Sequence, residues 1–115
     1  MSRAARSSLV DHVLDALAPL GPVETPRFFG GTGLRSQGVM FGFVIRERLY
    51  LRVDGRSSER YRALGSQPFR YATKRGEVEV GTFYEVPPDA LEMPEDMCEF
   101  AQEAIAAARA AGDRR

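Results

Sequence analysis

Between Arg27 and Val53 the chain reads RFFGGTGLRSQGVMFGFVIRERLYLRV, and this stretch limits what the rest can become. Gly30, Gly31 and Gly33 fall within four positions. That density means positive φ, a bulge or a tight turn, not a helix. Before it, Thr25 to Phe29 reads as extended, because Pro26 favours a strand start or an edge. After it, Ser36-Gln37-Gly38 is a turn signal between two apolar segments. Val39 to Ile45 reads as a strand with Phe41, Phe43 and Ile45 on one face and Met40, Gly42 and Val44 on the other. Arg46-Glu47-Arg48 is a polar break. Leu49, Leu51 and Val53 then alternate with Tyr50 and Arg52, the period of a half-buried strand. The stretch is a meander of three or four antiparallel strands.

The flanks supply helices. Leu9, Val10, Val13, Leu14 and Leu17 make one apolar stripe, so a helix is expected over roughly residues 8–20, capped by Ser7 or Ser8 and stopped by Gly21-Pro22. Asp54-Gly55-Arg56-Ser57 is a turn, and Ser57 or Ser58 is expected to cap a short helix through Leu64, ended by Gly65. Pro68 opens another strand, with Phe69, Tyr71 and Thr73 alternating inward. Lys74-Arg75-Gly76 turns the chain into a strand over 77–84. Phe83 there is out of phase with Val78 and Val80, which predicts a bulge at Gly81. Val86-Pro87-Pro88-Asp89 leaves the sheet. Pro94 opens a last helix, with Glu95 and Asp96 in its first turn and Met97, Phe100, Ala101, Ala104, Ile105 and Ala108 packing inward. Residues 1–6 and 113–115 are expected to be flexible tails. The order α-β-β-β(-β)-α-β-β-α describes one α+β domain over 1–115: a mostly antiparallel sheet of about five strands, two layers, helices on one face.

With 115 residues and 43% hydrophobic content the chain can bury a real core in one domain. It has no long apolar run for a membrane helix, and no apolar segment follows Arg3 and Arg6 as a secretion signal would. The single Cys98 forms no internal disulfide, which fits a reducing, cytoplasmic location. Formal charge is zero but unevenly spread. Residues 27–75 hold eleven Lys or Arg against three acids; residues 76–115 hold ten acids against three arginines.

Several phrases together resemble the N-terminal domain of the TfoX/Sxy family of competence regulators. They are Arg27-Phe28-Phe29-Gly30-Gly31, Gly33-Leu34, Gly38-Val39-Met40-Phe41, Leu49-Tyr50-Leu51-Arg52-Val53-Asp54, Phe69 and Tyr71 after Pro68, and Tyr84-Glu85-Val86-Pro87. Each phrase is weak; their order and spacing are specific, and they span about Leu9 to Ala108. The resemblance implies a two-layer fold similar to secretion chaperones, standing alone without the family's second, C-terminal domain. It also implies a non-enzymatic module that works by protein contacts in transcriptional control, with a cyclic-AMP receptor-type activator as the kind of partner.

Residue chemistry adds little to that. Gly30-Gly31-Thr32-Gly33 lacks the Lys-Ser/Thr pair of a phosphate loop and the helix of a dinucleotide fingerprint; Leu34 and Arg35 lead into more strand. A structural turn is the expectation, with a small anion between Arg27 and Arg35 as an alternative. His12 is the only histidine and has no second catalytic group beside it. One His and one Cys make no zinc set. No catalytic residue, metal or cofactor is expected. Alternation puts Arg46, Arg48, Arg52, Arg70 and Lys74 on the solvent side of the sheet. They read as an ordinary solvated face or as a patch for an acidic protein surface or nucleic acid, with Tyr50 or Tyr71 available to stack. The neutral total and the lack of a recognition helix weigh against nucleic acid. Open sheet edges make a homodimer a further expectation.

Overall fold

The computed structural model describes residues 8–113; the expected tail at 1–6 and the last two residues lie outside them. The first helix, α1 (Ser8–Ala16), buries Val10 and Val13. It stops sooner than its apolar stripe predicts. Pro19 has no N–H and disfavours α geometry at Ala18, so the chain tightens into a 3-10 turn over Ala18–Leu20 and leaves through Gly21 at φ 98°.

The glycine block then builds the sheet. Strands β1 (Arg27–Phe28), β2 (Gly31–Ser36), β3 (Val39–Ile45) and β4 (Arg48–Arg52) follow as an antiparallel meander. Each hairpin has a two-residue loop: Phe29-Gly30, Gln37-Gly38 and Arg46-Glu47. All six residues have positive φ. This is the mirror-image turn whose twist matches that of the strands it joins. Gly31 and Gly42 serve close approach instead. A Cβ on Gly31 would strike Val44 O, and one on Gly42 would lie 2.6 Å from Tyr50 O.

One residue shifts the expected phase of β3. Leu34 pairs with Gly42 but Arg35 pairs with Met40, so Phe41 is the extra residue of a bulge. Phe41 therefore turns to the opposite face from Phe43 and Ile45, correcting the expectation that the three share one face.

Helix α2 (Gly55–Ala63) starts earlier than expected: the cap is Asp54, not Ser57 or Ser58, because its carboxylate accepts from the amides of Arg56 and Ser57 at 3.0 and 2.8 Å, while the Ser57 hydroxyl accepts from the Asp54 amide. Strands β5 (Pro68–Thr73) and β6 (Gly76–Glu85) follow, and β6 returns to pair with β4. The sheet thus has six strands, one more than about five, in the order β1-β2-β3-β4-β6-β5. Between β5 and β6 the register jumps from Pro68–Tyr84 to Phe69–Val80. Gly81, Thr82 and Phe83 are left without β5 partners, so the bulge expected at Gly81 is present. Two more helices close the chain: a single turn, α3 (Pro88–Leu91), and the long α4 (Pro94–Asp113), which runs through Gly112.

The helices cover one face of this α+β sheet. Val10, Val13, Leu17, Tyr61, Met97, Phe100, Ala101 and Ala104 pack there against Leu34, Phe41, Val44, Leu49, Leu51, Tyr84 and Val86. Small alanines on α4 let it lie close on β3 and β4. The Tyr61 and Phe100 rings meet edge to face at 5.1 Å.

Candidate functional site

The other face of the sheet has no helix. Phe43, Ile45 and Phe69 form a second buried cluster there, edged by Phe28, Tyr50, Val80 and Phe83. Phe43 sits at its centre, only 1% exposed, with ring centroids of Phe28, Phe83, Phe69 and Tyr50 at 4.7 to 5.4 Å. Two strands, β4 and β6, lie between Phe69 on β5 and β3 in the sheet order, yet the Phe69 ring is 5.0 Å from that of Phe43. The register jump lets the β5–β6 hairpin bend over this face as an arm. Phe69 and Tyr71, expected to point toward the helices, instead belong here; their rings lie 6.0 Å apart.

At the mouth of this cluster lies a groove of about 280 Å³, walled by Phe29, Ile45, Arg46, Phe69 and Tyr71. Phe29 and Arg46 come from two hairpin turns at the same end of the sheet, and Phe69 and Tyr71 from the arm. Phe29 is 83% exposed and Tyr71 42%. Arg46 is the one charged wall. The glycine turn beside it gathers no convergent polar groups: Arg27 alternates to the side opposite Phe28, and Arg35 Nε donates to Glu24 Oε1 at 2.7 Å.

The basic residues of the middle segment separate. Arg48 and Arg52 share the helix-free face with Tyr50. Arg48 Nη1 is 3.1 Å from Glu85 Oε1. The Arg52 guanidinium lies 5.6 Å from the Phe83 ring centre, and its buried Nε has no partner. Arg70 turns to the other side of the arm and pairs with Glu79 at 2.9 Å. Lys74 sits in the turn at the arm's tip, exposed. Burial, and next the Glu85 carboxylate, hold the Tyr50 phenol above its ordinary pKa.

The remaining family residues serve the fold. Gly38 makes a turn, Leu34, Leu49 and Tyr84 fill the helix-side core, and Pro87 precedes α3. His12, exposed on α1, has Nε2 2.6 Å from the Leu91 carbonyl oxygen and ties α1 to α3. Cys98 Sγ is 3.2 Å from Ala16 O. Among the described residues no three His, Cys, Asp or Glu side chains gather as a metal site, and no helix is long and apolar enough to cross a membrane.

The place of Phe83 in the aromatic cluster and the pairing of Phe43 with Phe69 are not evident from the sequence. The signal for Phe83 was present, since it breaks phase with the valines. The signal for Phe69 was not, because alternation sorts residues into two faces without saying which face is covered.

A two-layer α+β domain with helices on one side and an aromatic cluster on the other is the class these features define. The chain belongs to the TfoX N-terminal domain family, whose model matches residues 15–108. It is also similar to the DNA transformation protein TfoX1 of Aliivibrio fischeri, at 27% identity over 99 residues, which cover 86% of this chain and 47% of that protein. The chain thus spans about half the length of that curated relative.

Proposed function

We propose that this chain is a regulatory module of the competence type, acting in the cytoplasm through protein contacts and without catalysis of its own. The observation that carries the reading is the helix-free aromatic face. A sheet face that buries Phe43 against Phe69 of a two-stranded arm still leaves Phe29 and Tyr71 in solvent beside a groove. Exposed aromatics around a partly formed pocket are what protein interfaces use as anchors. Membership of the TfoX N-terminal family and the similarity to a DNA transformation protein support reading that contact as part of gene regulation for DNA uptake. Arg48 and Arg70 are paired to acids, and Arg70 faces away from the others, which weighs against a surface that tracks a phosphate backbone.

The test is a gel-shift assay with a cyclic-AMP receptor-type activator bound to its promoter. Adding the chain is expected to retard the activator–DNA complex further, while the chain alone leaves the DNA unshifted at low salt. No effect on the complex, or a direct shift of bare DNA that fades steeply with salt, contradicts the proposal.

A further inference from the structure

The groove at the mouth of the aromatic cluster is small, and its walls are built at a cost. Its volume of about 280 Å³ falls just under the range of small-molecule sites, roughly 300–1,000 Å³, and suits a single anchoring side chain. Phe29 holds φ 45°, a backbone region that bulky residues avoid. Asn before Gly is the usual choice for such a turn. Packing does little to offset that strain, because the ring meets Phe28 edge-on at 4.7 Å and is otherwise in solvent. Arg46, on the facing turn, also has positive φ, at 52°. Strain of this kind persists at places that bind.

The one charged side chain that lines the groove is cationic. Arg46 forms no salt bridge among the described residues, and Lys74 and Arg75 stand at the arm's tip. Arg52 lies farther along the same face. Of the acids, Glu85 is occupied by Arg48 and Glu47 is exposed on the turn with Arg46. We infer that the groove receives one large apolar side chain of an acidic protein segment, with a carboxylate of that segment on Arg46. This rests on the reading of the chain as a protein-contact module and names the chemistry of its partner. A second copy of the chain fits worse, since a twofold pairing of these faces would bring like charges together. A single-stranded nucleic acid fits worse too. It needs cations in series, whereas the groove offers one and Arg70 faces away.

Fluorescence anisotropy on the full chain tests this, with a labelled synthetic peptide of glutamates and leucines around a central phenylalanine. Controls replace that phenylalanine with alanine, or the glutamates with lysine; oligothymidylate is the nucleic-acid probe. The acidic phenylalanine peptide is expected to bind, more weakly as salt rises. Either control peptide should weaken binding by about tenfold or more. Phe29→Asn and Arg46→Glu should do the same, while Arg46→Lys retains binding. Phe29→Asn suits the turn, so it isolates loss of the anchor wall from loss of fold, and circular dichroism checks this. No binding of the acidic peptide, binding indifferent to Phe29→Asn and Arg46→Glu, or a preference for oligothymidylate overturns the inference. If both variants still retard the activator–promoter complex as wild type does, the groove assignment fails while the regulatory reading stands. If wild type never does so, that reading fails.

Discussion

The two faces of the sheet bury aromatic side chains by different means. On one, four helices seal Phe41, Tyr61, Tyr84 and Phe100 beneath a layer of their own. On the other, a two-stranded arm brings Phe69 over Phe43 and leaves an open mouth. The first arrangement gives up its freedom to move in return for stability. The second keeps apolar surface near solvent and holds it with hairpin turns, the kind of element drawn from the less stable end of a fold. The comparison teaches that a buried aromatic residue is not always core in the same sense: Phe41 and Phe43, two residues apart, belong to different parts of the molecule.

The largest expected effect is on the helix-covered side. Phe41→Ala should destabilise by about 3–5 kcal/mol in chemical denaturation, because the helices cannot collapse onto the hole. Phe69→Ala should cost less, about 1–3 kcal/mol, since the arm can settle into the space. Equal losses would mean the arm is as firmly packed as the helices.

Tyr61→Phe sharpens the contrast within the sealed core. Its buried hydroxyl has no partner, and Glu103 Oε1 nearby is also unpaired. Losing the hydroxyl should be neutral or stabilising by about 1 kcal/mol at neutral pH. Burial, and then the Glu103 carboxylate, push the Tyr61 phenol well up. The neutral form is thus favoured in the folded state. The stability this contributes is present below the ordinary tyrosine pKa and is lost as pH rises past it. The variant should lose less stability in alkali than wild type.

At α2 the effect is of similar size and opposite pH sense. Hydrogen bonds from the Ser57 amide first, then the other groups at the cap, hold Asp54 below the usual carboxylate range. That stability is present above the ordinary carboxylate pKa and disappears as pH falls through the lowered value. Asp54→Ala should cost about 1 kcal/mol at neutral pH and nothing further in acid. The smallest effect belongs to the mouth of the groove: Phe29→Asn should stabilise the fold by about 0.5–1 kcal/mol in thermal melts.

Much of this was legible in the chain itself. The glycine block announced turns, Gly65 marked the end of α2 and Pro94 the start of α4, and the phase break at Phe83 located the bulge. Three things were not. Pro19 shortened α1, which an apolar stripe alone does not reveal. The bulge at Phe41 comes from the pairing of β2 with β3, and no period-two count within one strand contains it. The bend of the arm depends on β6 lying between β4 and β5, a long-range pairing that leaves no local mark. The groove at Phe29 and Arg46 follows from that bend, so it was equally hidden, although both residues had been singled out.

Binding of the acidic phenylalanine peptide to Phe29→Asn, set beside the melting temperature of the same protein, is the most direct trial of a sealed face for stability and an open one for contact. The account predicts a protein that melts higher and binds about tenfold less tightly. A variant that melts higher and binds as well as wild type would contradict it.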